Sequence, residues 1–480
     1  MNELFLTGAL ALRGGEVVSL VGAGGKTAAA FRLSEEWASS GGRAVFTTTT
    51  KIMEPIPGPD ECLFLMEGAG GEEEALKAIL RLLELYPRLI LAGRRLSEED
   101  HAFLKKDRSY PIPVRANKLG GISPALVDRL ACALRERLEE EVLIVVEADG
   151  ARHRLLKAPA PYEPVLPSST GVLVPVADLA VLGRPLNEEN VHRSLRVAAL
   201  TGLAPGEPVS AEAVARGLAH PEGGLKCLPQ GARAAALLHQ RAPGEPDAGA
   251  RQVAGLLLKS GQIERVVVAA LRARQPVLGV FYPPVAAIIL AAGASARMGR
   301  PKQLLPFGGK PMLRRVVETV LASPAEMVFV VLGHRAEEMR AALAGLPVQV
   351  VFNSDWERGL SSSLRAGLKA LPPYVRAALF VLADQPNLTA SLLARLIAHH
   401  RQSGAPIVLP ISRRERGNPV LFDRTLFPEL MSLEGDVGGR MLIERHPNLV
   451  AGVEISYEEM PADIDTPEDY FSLRGERWLN

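Results

Sequence analysis

A six-residue apolar run, Val285 to Leu290, breaks into the small residues Ala291 to Ala296, and this feature constrains the chain more than any other. A short continuous run of that kind suits a strand buried on both faces, as in a parallel sheet. Where it ends, residues without bulk let the backbone approach a ligand and offer N–H groups to phosphate oxygens. Leu290, Ala291, Ala292, Gly293 and Ser295 are therefore expected to line a nucleotide. Arg297 and Lys302 bring fixed positive charge to the same mouth. Polyphosphate binding at the carboxyl end of the strand is the reading this favours.

A second loop of this kind stands near the amino terminus. The strand pattern Glu16 to Val21 runs into Gly22-Ala-Gly24-Gly25-Lys26-Thr27, followed by a helical pattern through Ala30, Leu33 and Trp37. Strand, glycine loop and helix in that order are the context a phosphate loop needs. Gly22, Gly24 and Gly25 give the backbone its close approach, Lys26 neutralises phosphate, and the Thr27 hydroxyl is a magnesium ligand candidate. Thr47 to Lys51 ends another short strand. Its hydroxyls suit the same site or simply an extended segment. Val142 to Val146 is β-branched and apolar, and delivers Glu147 and Asp149 at its end. One or two acids in that position suffice for magnesium opposite a phosphate loop.

At 480 residues the chain is too long for one ordinary domain. Tyr282-Pro283-Pro284 resists both helix and central strand and marks the expected boundary, giving domains 1–282 and 283–480. Alternating strands and helices predict an α/β fold in both: a P-loop-like domain first, then a doubly wound, Rossmann-like domain. A net charge of +1 gives no reason to expect nucleic acid or a membrane surface as partner. Cys62, Cys132 and Cys227 lie too far apart for a zinc or disulfide framework. No apolar run reaches about 18 residues and no basic leader precedes one, so a cytoplasmic location is expected.

The carboxy-terminal half adds Asn353-x-x-Trp356-x-x-Gly359-x-Ser361-x-Ser363, where small and hydroxylated residues suit a base and ribose or a helix cap. An apolar strand at 378–382 ends in Ala383-Asp384-Gln385-Pro386. Asp463-Ile-Asp465-Thr466-Pro467 follows near the end of the chain.

Taken together, Leu290-Ala-Ala-Gly-x-Ser-x-Arg-Met-Gly-x-x-Lys-x-Leu-Leu and Asp384-Gln-Pro resemble the nucleotidyltransferases that mature the molybdenum cofactor. Leu290-Ala291-Ala292-Gly293, in place of Leu-Ala-Gly-Gly, is similar to the cytidylyl-transferring MocA type. The resemblance implies CTP and molybdopterin as substrates and Mg²⁺ as cofactor. It also implies a nucleotide pocket at Gly359, Ser361 and Ser363, a catalytic Asp384 and metal ligation by Asp384 and Asp465. A catalytic role for Arg297 and Lys302, stabilising charge at reacting phosphates, is implied with them. Asn418, Pro419, Asp436 and Gly438 are the candidates for the pterin side. Guanylyl transfer, or another phosphorylated acceptor, stays open beside this.

In the first half, Gly22-x-Gly-Gly-Lys-Thr, Thr47-Thr-Thr-Thr-Lys, Glu147-Ala-Asp-Gly, Lys157-Ala-Pro, Glu163-Pro and His192-Arg193 resemble the YqeC family. That family is described as accessory to selenium-dependent molybdenum hydroxylases. The resemblance implies ATP or GTP at the first domain and an apo-hydroxylase as partner. A nucleotide-dependent enzyme and an insertion chaperone both remain open.

Overall fold

The computed structural model describes residues 5–97, 118–137, 142–295 and 298–473. It divides into two compact units, Met1–Tyr282 and Pro283–Asn480.

The first unit is built on a nine-stranded sheet. From edge to edge its strands are Val277–Phe281, Arg265–Ala269, Arg233–His239, Thr170–Asp178, Val17–Gly22, Val142–Glu147, Arg43–Thr48, Arg88–Ala92 and Glu61–Leu65. All neighbours run parallel except the antiparallel edge strand Val277–Phe281. Val17–Gly22 is buried along its whole length, as a parallel strand covered on both faces must be. The pleat divides its side chains. Val17 and Val21 belong to a core shared with Ile79, Leu126 and Val253 of helices on one face. Val18 and Leu20 meet Leu6, Ala30 and Leu33 on the other.

The second unit holds an eight-stranded mixed sheet. Gln349–Phe352, Met327–Leu332, Val285–Ala291 and Ala377–Leu382 are parallel neighbours. Val420–Asp423 then pairs antiparallel with Ala377–Leu382. Ala287 and Ile289 pack on Leu313 and Val317 of the helix Met312–Leu321. Ala286 and Ile288 pack on Leu364 and Leu368 of the helix Leu360–Lys369. That second helix lies close, since a Cβ on Gly367 would stand 2.5 Å from Ile288 Cγ2. Both faces of the parallel strands are thus covered by helices, as the doubly wound reading requires.

In each unit the central strand, Val17–Gly22 or Val285–Ala291, has later strands on both sides. Its carboxyl end is therefore the point where strand order reverses, and there α/β sheets leave a crevice for ligands. Among the described residues no helix is long and apolar enough to cross a membrane.

Candidate functional sites

In the first unit the Val17–Gly22 strand turns sharply into the helix Lys26–Ser39. Gly22, Gly24 and Gly25 take φ of +95°, +73° and +138°. A Cβ on Gly24 would lie 2.3 Å from that of Asp178, so glycine is required for conformation and for space. Among the described residues nothing accepts from the amides of Gly24 and Gly25. Two N–H groups at a helix start thus face a common mouth, an arrangement suited to an anion.

Lys26 is buried here, and its Nζ donates to Gly22 O at 2.5 Å and stands 3.1 Å from Asp149 Oδ1. Asp149 Oδ2 accepts from the Gly22 amide at 3.0 Å and meets Lys157 Nζ at 3.0 Å. Asp149 is thus flanked by two lysines, and its Oδ1 is buried without a hydrogen-bond partner, which leaves room for the cation the sequence pointed to. Lys157 Nζ continues to Glu163 Oε2 at 2.8 Å. Arg193 grips that carboxylate with two N–H groups, at 2.7 and 3.1 Å. Burial works against the Glu163 carboxylate, but Arg193 and Lys157 hold its pKa down at about 2. Burial, then the charges of Arg193, Lys157 and Arg152, pull His192 down to about 4.

Thr27 Oγ1 donates to Glu147 Oε2 at 2.8 Å, and burial pushes the Glu147 carboxyl upward. This pair fits a magnesium ion beside the loop, because a hydroxyl and a carboxylate oxygen are hard donors. The threonine run contributes less than its composition suggested. Thr47, Thr48 and Thr49 donate to the backbone oxygens of Leu91, Glu147 and Val165.

In the second unit the strand Val285–Ala291 opens into residues whose amides at Gly293 and Ala294 meet no acceptor among the described residues. Ser295 takes φ +56° and organises the turn. Its hydroxyl donates to Gln303 Oε1 at 3.0 Å and accepts from the Lys302 amide at 3.2 Å. Lys302 Nζ is thereby delivered to Asp384 Oδ2 at 2.6 Å and Asp465 Oδ1 at 2.8 Å. Burial opposes its charge, but the two carboxylates raise its pKa overall. Asp384 Oδ1 is buried without a hydrogen-bond partner, an orphan that calls for a ligand. One free carboxylate oxygen with Asp465 beside it fits Mg²⁺, which takes few protein ligands and keeps its waters. Among the described residues no group of three or more carboxylate, imidazole or thiol side chains is placed to hold a metal by itself. Arg297 lies outside the described residues.

Asp469 accepts from the amides of Asp465 and Thr466 at 3.0 and 2.8 Å, so it opens the last helix. Gly359 takes φ +91°, and a Cβ there would stand 2.6 Å from the Asp436 amide. Asp436 Oδ1 accepts from the Leu360 amide at 3.2 Å, and Gly438 packs on Leu360. These two pterin candidates thus brace the start of the Leu360–Lys369 helix. Ser361 Oγ is buried there without a partner. Ser363 and Ser362 accept from Asn353 Nδ2. Asn418 and Pro419 precede Val420, which pairs with Phe380 on the strand leading to Asp384.

Sequence reasoning noted Lys157, Glu163 and Arg193 as motif residues but gave them no role. Asp463 lies close by, its carboxylate accepting from Gln385 Nε2 at 2.8 Å. Burial, then Asp384, pushes its pKa up.

A MobA-like NTP transferase domain matches residues 287–450, and the YqeC protein family matches residues 18–195. Over 198 residues the chain is 36% identical to the nicotine blue oxidoreductase of Paenarthrobacter nicotinovorans, covering 40% of this chain and 97% of that protein. Over 220 residues it is 32% identical to the uncharacterized protein YqeC of Escherichia coli, 45% of this chain and 73% of that one. Over 190 residues it is 28% identical to the molybdenum cofactor cytidylyltransferase of Escherichia coli, 39% of this chain and 94% of that enzyme. Fold, site and family match define the second unit as a nucleotidyltransferase. The chain belongs to the YqeC family through its first unit and to the MobA-like NTP transferases through its second.

Proposed function

We propose that the second unit transfers CMP from CTP to the phosphate of the molybdenum cofactor, giving the cytosine dinucleotide form and pyrophosphate. The observation that carries this reading is Lys302 held between Asp384 and Asp465 at the mouth of the small-residue loop. An oxygen of the cofactor's terminal phosphate bonds to the α-phosphorus of CTP. The bond from that phosphorus to the bridging oxygen breaks, and pyrophosphate leaves. The attacking phosphate is already ionised at neutral pH, so positioning and charge neutralisation dominate.

The amides of Gly293 and Ala294, without an acceptor among the described residues, would hold phosphate oxygens. Lys302 would neutralise charge on the leaving group, joined by Arg297. Asp384 and Asp465 would hold Mg²⁺, which supplies further charge neutralisation when bound. Gly359, Ser361 and Ser363 would receive base and ribose. Ala292, in place of the glycine usual in the guanylyl-transferring type, supports cytosine by resemblance. It is buried, and its methyl faces Gly333, where an added Cβ would lie 2.9 Å from that of Ala292 and 2.6 Å from that of Trp356. Asn418, Pro419, Asp436 and Gly438 remain assigned to the pterin side, the last two through the Leu360 turn.

For the first unit we infer ATP or GTP binding on Gly22 to Thr27, coupled to service of a molybdenum hydroxylase apo-enzyme. Thr27, Glu147 and Asp149 would hold its magnesium, Asp149 also standing as counter-ion to the lysines.

The test is pyrophosphate release from the full chain with Mg²⁺, molybdenum-loaded pterin cofactor, and CTP or GTP in parallel. CTP-dependent release that vanishes in Asp384→Ala supports the reading, and GTP preference overturns the Ala292 argument. The relative described as an oxidoreductase supplies a second reading for this unit. Turnover of an oxidisable substrate without pyrophosphate release would favour it.

A further inference from the structure

The nucleotide reading of the first unit leaves unexplained a group of cations beside the phosphate loop. Lys51–Met53 and Lys118–Gly120 form a small antiparallel ribbon, with Lys51 opposite Gly120 and Met53 opposite Lys118. Ile52 and Leu119 are buried, so the pleat places Lys51 and Lys118 together on the outward face. The ribbon is anchored at the carboxyl end of the Arg43–Thr48 strand, where the Ile122 amide donates to Thr48 O at 2.9 Å. Arg152 belongs to the loop that leaves the adjacent strand Val142–Glu147, three residues past Asp149. Arg152 and its neighbour His153 both hold left-handed backbone, at φ +49° and +60°. Such strain persists in non-glycine residues only where the surroundings enforce it, often at binding sites.

These charges feel one another. Burial, then Lys51 and Arg152, lower the Lys118 ammonium, and Arg152 also bears on His192. Among the described residues neither Lys51 nor Lys118 has a carboxylate partner. Among the described residues Glu54 pairs with Arg95, Glu147 with Thr27, and Glu163 with Lys157 and Arg193. A half-buried lysine that shares a ribbon face with a second lysine carries an unfavourable charge in the free protein, relieved when an anion enters.

We propose that Lys51, Lys118 and Arg152 form a second anion site in the first unit, beside the phosphate loop and independent of Lys26, that takes the phosphate of a phosphomonoester acceptor. A phosphate dianion matches two ammonium point charges and one guanidinium fork. The unit would then hold two phosphorylated ligands at one sheet edge. Nucleotide binding at Lys26 is not required for this site.

The probe is pyridoxal 5′-phosphate on the full chain, with borohydride trapping and mass-spectrometric mapping. The lysine amine adds to the aldehyde carbon and water leaves. Borohydride then delivers hydride to the imine carbon while nitrogen takes a proton from solvent. The proposal expects preferential labelling of Lys118, suppressed by inorganic phosphate, at least about tenfold weaker with pyridoxal, and unchanged in Lys26→Ala. Arg152→Ala should raise the phosphate concentration for half protection about tenfold, the loss of one charge-assisted contact. Equal labelling by pyridoxal, no competition by phosphate, or no label on Lys118 would each overturn it. Loss of phosphate competition in Lys26→Ala would overturn it too, because the cations would then serve the nucleotide's own phosphates.

Discussion

Lys302 Nζ stands 2.6 Å from Asp384 Oδ2, while the second oxygen of Asp384 is buried without a partner. The lysine thus orients the carboxylate and leaves one oxygen for a cation. Lys302→Ala removes the positive group at the reacting phosphates and lets Asp384, Asp463 and Asp465 repel one another. We expect pyrophosphate release to fall by about 10²–10³. Asp384→Asn keeps the shape but loses the charge. It should weaken Mg²⁺ binding by about tenfold or more in a calorimetric titration. Unchanged magnesium affinity would remove Asp384 from the metal site.

Asp149 answers two buried lysines at once. Asp149→Ala leaves Lys26 and Lys157 without their shared counter-charge, and breaking a buried pair from one side costs about 3–5 kcal/mol. The expected outcome is a marked fall in the unfolding temperature of the first unit by calorimetry. Lys26→Ala should cost less stability, since Asp149 keeps Lys157 and the Gly22 amide, but should abolish ATP or GTP binding. Retained nucleotide binding in Lys26→Ala would end the phosphate-loop reading.

Acid should loosen the first unit in two stages. His192 titrates at about 4 in the folded unit, below its usual 6.5, so the unfolded chain takes up its proton first. That part of the stability is complete above pH 6.5 and is lost as pH falls toward 4. Glu163 titrates at about 2, against 4.5 ordinarily, and its part is lost as pH falls from 4.5 toward 2. Urea unfolding across pH 7 to 3 checks both. His192→Asn should flatten the upper stage and leave the lower one, and an unaltered upper stage would assign it to another group.

Two glycines in the second unit separate conformation from binding. Gly359→Ala places a methyl 2.6 Å from the Asp436 backbone at φ +91°, and should destabilise by about 1–3 kcal/mol. Gly293→Ala meets nothing within 4 Å and has no positive φ. It should leave stability within about 0.5 kcal/mol while weakening CTP binding, because the methyl intrudes where the backbone approaches phosphate. Thermal unfolding and nucleotide titration of both variants would show the split, and normal CTP affinity in Gly293→Ala would move the phosphates elsewhere.

Much of this was legible in one dimension. Continuous apolar runs such as 142–146 and 327–332 can only be strands covered on both faces, so the α/β class followed from them. Small residues after Leu290 and after Val21 marked where backbone could approach a ligand, because spacing and bulk are local properties. The chain order of Lys302, Asp384 and Asp465 showed three charges and nothing of their meeting, since that depends on strands adjacent only in the folded sheet.

Local pattern by itself determined the strands, the two glycine and alanine loops, and which residues could carry phosphate chemistry. Tertiary structure alone decided the pairings. Asp149 went to lysines and left Glu147 with Thr27, Glu163 went to Arg193, and Lys118 was set among cations. A charge takes its partner and its protonation from whatever the fold places within a few ångströms and from how much water is excluded, and neither is written in the order of residues.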